Sequence, residues 1–448
     1  MANTVGFNEN YPAISESERY YERALGLIPC VTQTLAKGPG QHTKGVAPIY
    51  LKKGKGCHVW DVDGNEYIDY TMGVGPLSLG YCYEKVDKAI IEQLRDGITF
   101  SLMHPLEVEV AELIKSIIPN AESVRFSKTG CDVTTAAVRL ARAYTGKNTI
   151  LCCGYHGWHD WYIGVTDRDK GIPQSTKDLT YTFNYNDLDS VINAIDDDTA
   201  AIILEPVVFE EPKDNFLHKL RDISTTKGII LIFDEMWTGF RIATGGAQEY
   251  FGIKADLATY SKALANGMPI SVLTGRKDIM DLLERDVFFF TTFGGEALSL
   301  AATKATITEI IEKNVPQYLD RQGKKLKEGY NQIAESLNMP YTKAGGYNFR
   351  SIITFDASAG NPLEMKTLVQ QEMIKNGILW SGFHNMSFSH TDEDISFTLE
   401  VYNKVLPILK QAVEDGNISK YLKGKTLEPV FRRVGNFNLK PKKSSNQL

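Results

Sequence analysis

The sequence predicts an α/β protein in which strands and helices alternate in the doubly wound manner. Short apolar runs at residues 149–153, 200–204 and 229–233 are bounded by turn signals, as buried parallel strands are. Between them lie longer segments whose apolar residues recur at helical spacing, such as Val133, Ala136, Ala137, Leu140, Ala141 and Tyr144. Glycines, acids and a lysine stand just past several strand ends, where open α/β sheets bind ligands.

Along the chain, residues 15–24 read as a helix and 48–70 as strands around an Asp63-Gly64 turn, a β-hairpin pattern. Helical periodicity resumes at 83–94 and 105–118. Strand 123–127 leads through Thr129-Gly130-Cys131 into a helix that stops near Gly146. Strand 149–153 ends at Tyr155-His156-Gly157, and strand 200–204 at Glu205-Pro206. A helix at 217–226 returns to the apolar run 229–233, which ends on Asp234 and Glu235. Strand 257–260 leads to Ser261-Lys262, and 270–274 is a further strand. Helices are expected at 297–313, 324–337 and 392–414, with strands at 350–355 and 378–380.

Composition narrows the function classes. A chain of 448 residues has room for two or three lobes. A net charge of −6 argues against a nucleic-acid surface, which needs a basic stripe. No apolar run is long enough to span a bilayer, and the N-terminus lacks the basic-then-apolar pattern of a leader, so cytoplasm is expected. Six cysteines without a C-x-x-C pair point to neither a disulfide framework nor zinc, and no metal is expected.

The chemistry is concentrated at Asp234 and Lys262, each just past a strand end. A lone lysine is ordinarily a solvated surface residue, and an Asp after a strand is often a helix cap. Together they match what pyridoxal 5'-phosphate (PLP) requires: a lysine for a Schiff base and a carboxylate to keep the pyridine nitrogen protonated. A glycine at the turn before a helix, as at Gly130, exposes backbone N–H groups that suit a phosphate.

The segment Phe-Asp-Glu-Met-x-Thr-Gly-Phe-Arg at 233–241, followed by Lys262, resembles the class III PLP-dependent aminotransferases, in particular their glutamate-1-semialdehyde aminomutase-like branch. The resemblance implies fold type I: a large domain with a mostly parallel seven-stranded sheet, plus a small α+β lobe drawn from both chain ends. It places an N-terminal segment and part of the small lobe at 1–75, the large PLP-binding domain at 76–337, the C-terminal small lobe at 338–425 and a tail at 426–448. It also implies a homodimer with shared active sites. By the same resemblance Lys262 and Asp234 are catalytic. Gly130 and Cys131 hold the cofactor phosphate, though the third residue of the family's Ser-Gly-Thr is here a cysteine. Tyr155, next to His156, stacks on the ring, and Met236 covers the opposite face. Thr292, or Thr291 beside it, reaches the phosphate across the dimer.

On the substrate side the chain departs from the aminomutase pattern. Lys37 stands near the place of an arginine, Glu210 in place of an asparagine, and His384 in place of a glutamate. Glu210 is expected to be buried and paired with His384, with the cofactor or with a cationic substrate group. These changes point to transfer of an amino group from a donor to an aldehyde or ketone acceptor. An intramolecular aminomutase, a decarboxylase and an inert binding protein on the same fold are the alternatives.

Overall fold

The structure is a computed structural model that describes residues 2–429 and 437–442. These residues divide into two compact units, one of 2–83 with 317–429 and one of 84–316 with 437–442.

The first unit begins with helix Ser15–Leu25 and strands β1 (Leu51–Lys55), β2 (His58–Asp61) and β3 (Glu66–Asp69). β2 and β3 pair antiparallel around the expected turn. The second unit contains β4 (Ser123–Ser127), β5 (Thr149–Cys153), β6 (Thr180–Thr182), β7 (Thr199–Leu204), β8 (Ile230–Asp234), β9 (Leu257–Tyr260) and β10 (Ser271–Gly275). They form a seven-stranded sheet in the order β4-β10-β9-β8-β7-β5-β6. β10 runs antiparallel to both β4 and β9, so β4 points the same way as the parallel strands. The carboxyl ends of β4, β5, β7, β8 and β9 therefore share one edge of the sheet.

Every residue of β5, β7 and β8 is buried, as expected of strands covered on both faces. Burying each large apolar side chain of β8 contributes about 1.5–3 kcal/mol, which helps offset carrying Asp234 out of water at its end. Helix Gly130–Thr145 packs Val133, Ala136, Ala137, Leu140 and Ala141 into this core. Thr129 caps its start reciprocally with Asp132, and Gly146, at φ 67°, ends it in the left-handed conformation.

The chain then returns to the first unit, adding β11 (Thr342–Tyr347), β12 (Arg350–Phe355), β13 (Ile378–Leu379) and β14 (Phe383–Asn385). β13 joins β3 in parallel, while β11, β12 and β14 make a separate antiparallel sheet. The helix expected from residue 324 starts at Val315, because Pro316 falls in its first turn, where no N–H is needed. Helix Pro362–Lys375 has no counterpart in the expected elements; its residues are buried nearly all round, which erases the helical stripe. Residues 437–442, within the expected tail, lie along β6: Lys440 O accepts from Thr182 N at 3.0 Å, and Lys440 N donates to Thr182 Oγ1 at 2.6 Å. The remainder of the expected tail, 430–436 and 443–448, lies outside the described residues.

Candidate active site

The shared sheet edge collects most of the residues singled out in the sequence. Asp234 ends β8, is 1% exposed, and carries two contacts that orient its carboxylate. Oδ1 accepts from Met236 N at 3.1 Å, and Oδ2 lies 2.8 Å from His156 Nδ1. His156, past β5, is 2% exposed, and its Nε2 is buried with no hydrogen-bond partner among the described residues. A buried ring nitrogen left unpaired costs free energy.

Lys262 follows β9 and takes φ 47°, an uncommon left-handed conformation for a side-chain-bearing residue. Its Nζ sits 3.6 Å from the centroid of the Trp237 ring. Trp237 is 8% exposed; Arg241 donates to its carbonyl oxygen at 3.1 Å. The sequence reading passed over Trp237, although it stands in the same short segment as Asp234 and Met236. Its neighbour Glu235 is buried; it accepts from Ala247 N and Gln248 N at 2.8 and 3.0 Å and from the Thr238 hydroxyl. Burial pushes the Glu235 carboxyl up to about 7.

At the end of β4, Gly130 opens its helix against Met236. A Cβ on Gly130 would stand 3.0 Å from Met236 Sδ, so a larger residue here would need the Met236 side chain to give way. The first N–H groups of such a helix have no intrahelical acceptor and suit an anion. Cys131 is buried, with Sγ 3.1 Å from Thr129 Oγ1. Gly154, at φ 112°, brings the end of β5 against Glu205, where a Cβ would lie 2.7 Å from Oε2. Tyr155 remains 42% exposed beside this edge. Thr291 and Thr292 are exposed in the loop before helix Ala297–Glu312.

The substrate-side expectations fare differently. Glu210 is exposed and paired with Lys213 at 2.9 Å, not buried against a ring or His384. Lys213 lies three residues along the same exposed loop, so the pair is a local surface arrangement. His384 is fully buried within the first unit, with Nδ1 2.9 Å from Ser351 Oγ and Nε2 2.8 Å from Tyr402 OH. Both of its nitrogens are occupied, and burial holds it at about 3, so in this structure it is a neutral residue of the core. Lys37 is exposed in the turn Leu35–Lys37.

The family model for aminotransferase class-III matches residues 40–413. The chain belongs to the class III aminotransferases. It is similar to the 3-aminobutyryl-CoA aminotransferase of Cloacimonas acidaminovorans, at 34% identity over 89% of this chain and 98% of that protein. It is also similar to the glutamate-1-semialdehyde 2,1-aminomutase of Acetivibrio thermocellus, at 36% identity over 86% and 96%. Among solved structures it matches the PLP internal aldimine form of Sphingopyxis sp. MTA144 FumI protein with a TM-score of 0.83 and 27% identity, over 92% of this chain and 99% of that one.

This class III aminotransferase is therefore a PLP-dependent enzyme of fold type I, acting on a small-molecule amino donor and an oxo acceptor. The donor set at the sheet edge fits PLP. Lys262 offers the amine, and Asp234, aligned by a histidine, is an acid suited to a ring nitrogen. The glycine-led helix start at Gly130 suits a phosphate. Among the described residues, no helix is long and apolar enough to cross a membrane.

Proposed function

We propose that the enzyme transfers an amino group between separate molecules, releasing the oxo form of the donor before the acceptor binds. The convergence of Lys262, Asp234 and the half-paired His156 on one sheet edge supports the PLP chemistry, and the similarity to a 3-aminobutyryl-CoA aminotransferase supports transfer between separate molecules. When bound, PLP supplies a carbonyl that bonds amines and a ring that withdraws electrons from the substrate Cα.

Lys262 Nζ would hold the cofactor's carbonyl carbon and would serve as the base and acid for the substrate Cα proton. The Trp237 face restrains that amine over a short range of positions. Asp234 keeps a proton on the ring nitrogen, and His156 holds the carboxylate in register. Gly130 and Cys131 would hold the phosphate through backbone N–H groups, and Tyr155 and Met236 would cover the two faces of the ring. Thr292 completes the phosphate site across a homodimer. The second unit supports that assembly with exposed apolar side chains: Phe100, Leu102 and Met103 on one loop, and Phe288, Phe290 and Phe293 on another. Backbone pairing of Ala297 N with Ile98 O at 2.9 Å joins these loops. The protein acts in the cytoplasm.

A second reading, the intramolecular aminomutase, is favoured by the similarity to glutamate-1-semialdehyde 2,1-aminomutases at comparable identity. Incubating the PLP-loaded enzyme with glutamate and measuring free 2-oxoglutarate separates the two. Release stoichiometric with enzyme supports intermolecular transfer. No release from any amino acid, with efficient conversion of glutamate-1-semialdehyde to 5-aminolevulinate, would establish the mutase instead.

A further inference from the structure

In the unit of 2–83 with 317–429, Cys57, His58 and Asp394 bring three different metal-ligating atoms within 4.8 Å of one another. We propose that they form a site for a borderline-soft divalent cation of the zinc type.

Local backbone geometry creates the convergence. Gly56, at φ 61°, turns the chain immediately before β2 and bridges to Tyr81. Two consecutive side chains then reach opposite oxygens of one carboxylate. Cys57 Sγ lies 3.3 Å from Asp394 Oδ2, and His58 Nε2 lies 3.1 Å from Asp394 Oδ1. Tetrahedral ligation with metal–sulfur and metal–nitrogen distances of about 2.3 and 2.0 Å separates neighbouring ligand atoms by roughly 3.3–3.5 Å. Both contacts to the Asp394 carboxylate already stand close to that spacing, and the Cys57 and His58 atoms lie within 4.8 Å of each other.

A second feature is the support behind these atoms. His58 Nδ1, the nitrogen facing away from Asp394, lies 3.0 Å from Glu66 Oε1. A carboxylate on the outer nitrogen of a histidine is the arrangement that orients metal-bound imidazoles and raises their basicity. Asp394 is held from its own side by Thr391, whose N and Oγ1 donate to Oδ2 at 2.9 and 2.8 Å. Cys57 is 1% exposed, whereas the His58 and Asp394 side chains retain 28% and 12% exposure. The fourth coordination position therefore opens toward solvent, which also provides the entry path.

The ligand set selects the ion. Magnesium and calcium take oxygen ligands, whereas sulfur, nitrogen and carboxylate together suit zinc or cobalt. Binding releases the thiol proton, leaving a thiolate beside the cation. The bound ion would staple β2 to the first turn of helix Asp392–Glu414 and stabilise this unit, with no part in amino transfer.

The test uses reduced, PLP-loaded full-length protein, freed of metal by chelation and titrated with Co²⁺. The expected result is a single Co²⁺ per chain, with visible ligand-field bands of a tetrahedral thiolate site, displaced by Zn²⁺. Cys57→Ala and His58→Gln should each abolish the bands while amino transfer and circular dichroism stay at parent level. Glu66→Gln should weaken binding by about 10–100-fold. Zn²⁺ should raise the thermal midpoint of the parent and leave Cys57→Ala unmoved. Absence of stoichiometric Co²⁺ in the parent overturns the proposal. So does persistence of the bands in both Cys57→Ala and His58→Gln, or their loss only in Cys131→Ala.

Discussion

Two buried histidines separate the chemistry of the two units. His156, in the sheet unit, faces Asp234 through one nitrogen and leaves the other unpaired among the described residues. His384, in the other unit, is buried equally well but spends both nitrogens on the hydroxyls of Ser351 and Tyr402. Burial alone therefore says little about function. What separates these two is that His156 aligns the strand-end acid Asp234 and keeps a nitrogen open, whereas His384 closes a set of neutral hydrogen bonds inside its core.

The largest expected effect tests the sheet unit at its centre. Lys262→Ala should lower amino transfer by about a thousandfold or more while leaving the fold intact. Borohydride reduction of the parent followed by peptide mapping should place the cofactor on Lys262. Labelling at another lysine would move the site away from β9.

Next in size is Asp234→Asn, which replaces the carboxylate facing His156 with a neutral amide. The rate should fall by about a hundred- to a thousandfold, with little change in the melting temperature. A variant within about tenfold of the parent would show that another group supports the ring nitrogen, and would remove the contrast between the two histidines.

For the core histidine the expected loss is stability, not rate. His384→Ala leaves the Ser351 and Tyr402 hydroxyls without their partner and should cost about 2–5 kcal/mol, with kcat within about threefold of the parent. Chemical denaturation and steady-state kinetics on the same preparation give both values. A large fall in kcat with unchanged stability would return His384 to the catalytic account.

The units should also respond oppositely to acid. Burial holds His384 at about 3 and His390 at about 4, against the usual 6.5, so both are neutral in the fold. The unfolded chain then binds more protons between those values and 6.5, and stability falls as the pH drops through that window. Glu235 shows the opposite sign: burial pushes it to about 7 from an ordinary 4.5. Its contribution is fully present below about 4.5 and is lost as the pH rises through 7. Hydrogen exchange at about pH 7 and 5 should show protection falling around β14 and His390 but not around Glu235 and Ala247. His58, raised by its bond to Asp394, works against the loss nearer β2, so the readout belongs at β14. Parallel loss in both units would sink the contrast.

The smallest effect is expected at Glu210→Gln. An exposed pair with Lys213 contributes about 0–1 kcal/mol, and neither KM nor kcat should change beyond about twofold. A tenfold rise in KM for one substrate would bring Glu210 back as a recognition group.

Much of the architecture was legible because it is written in short-range patterns. Asp234 and Lys262 could be placed at strand ends from the apolar runs before them, and the helix after Gly130 from its spacing and its Gly146 stop. Helix Pro362–Lys375 was not legible, since burial on nearly every face leaves no stripe to read. The segment at 437–442 was polar and looked like a tail, but its backbone and lysines find partners on β6 and its surroundings.

By itself, the sequence determined the alternating α/β plan, the strand-end acid and lysine, and the glycine-led helix start. Each depends on residues within a few positions of one another, where periodicity, capping and turn preference act directly. Only the tertiary structure decided which polar groups are open and which are closed. His384 is satisfied by Ser351 and Tyr402, thirty-three and eighteen positions away, and Trp237 meets Lys262 because β8 and β9 are neighbours in the sheet. Glu210 follows the same logic in reverse: its residue type suggested a buried site, but its place on the surface gave it water and Lys213. A side chain's role depends on what packing brings to its last atom, and that is set by contacts far apart along the chain.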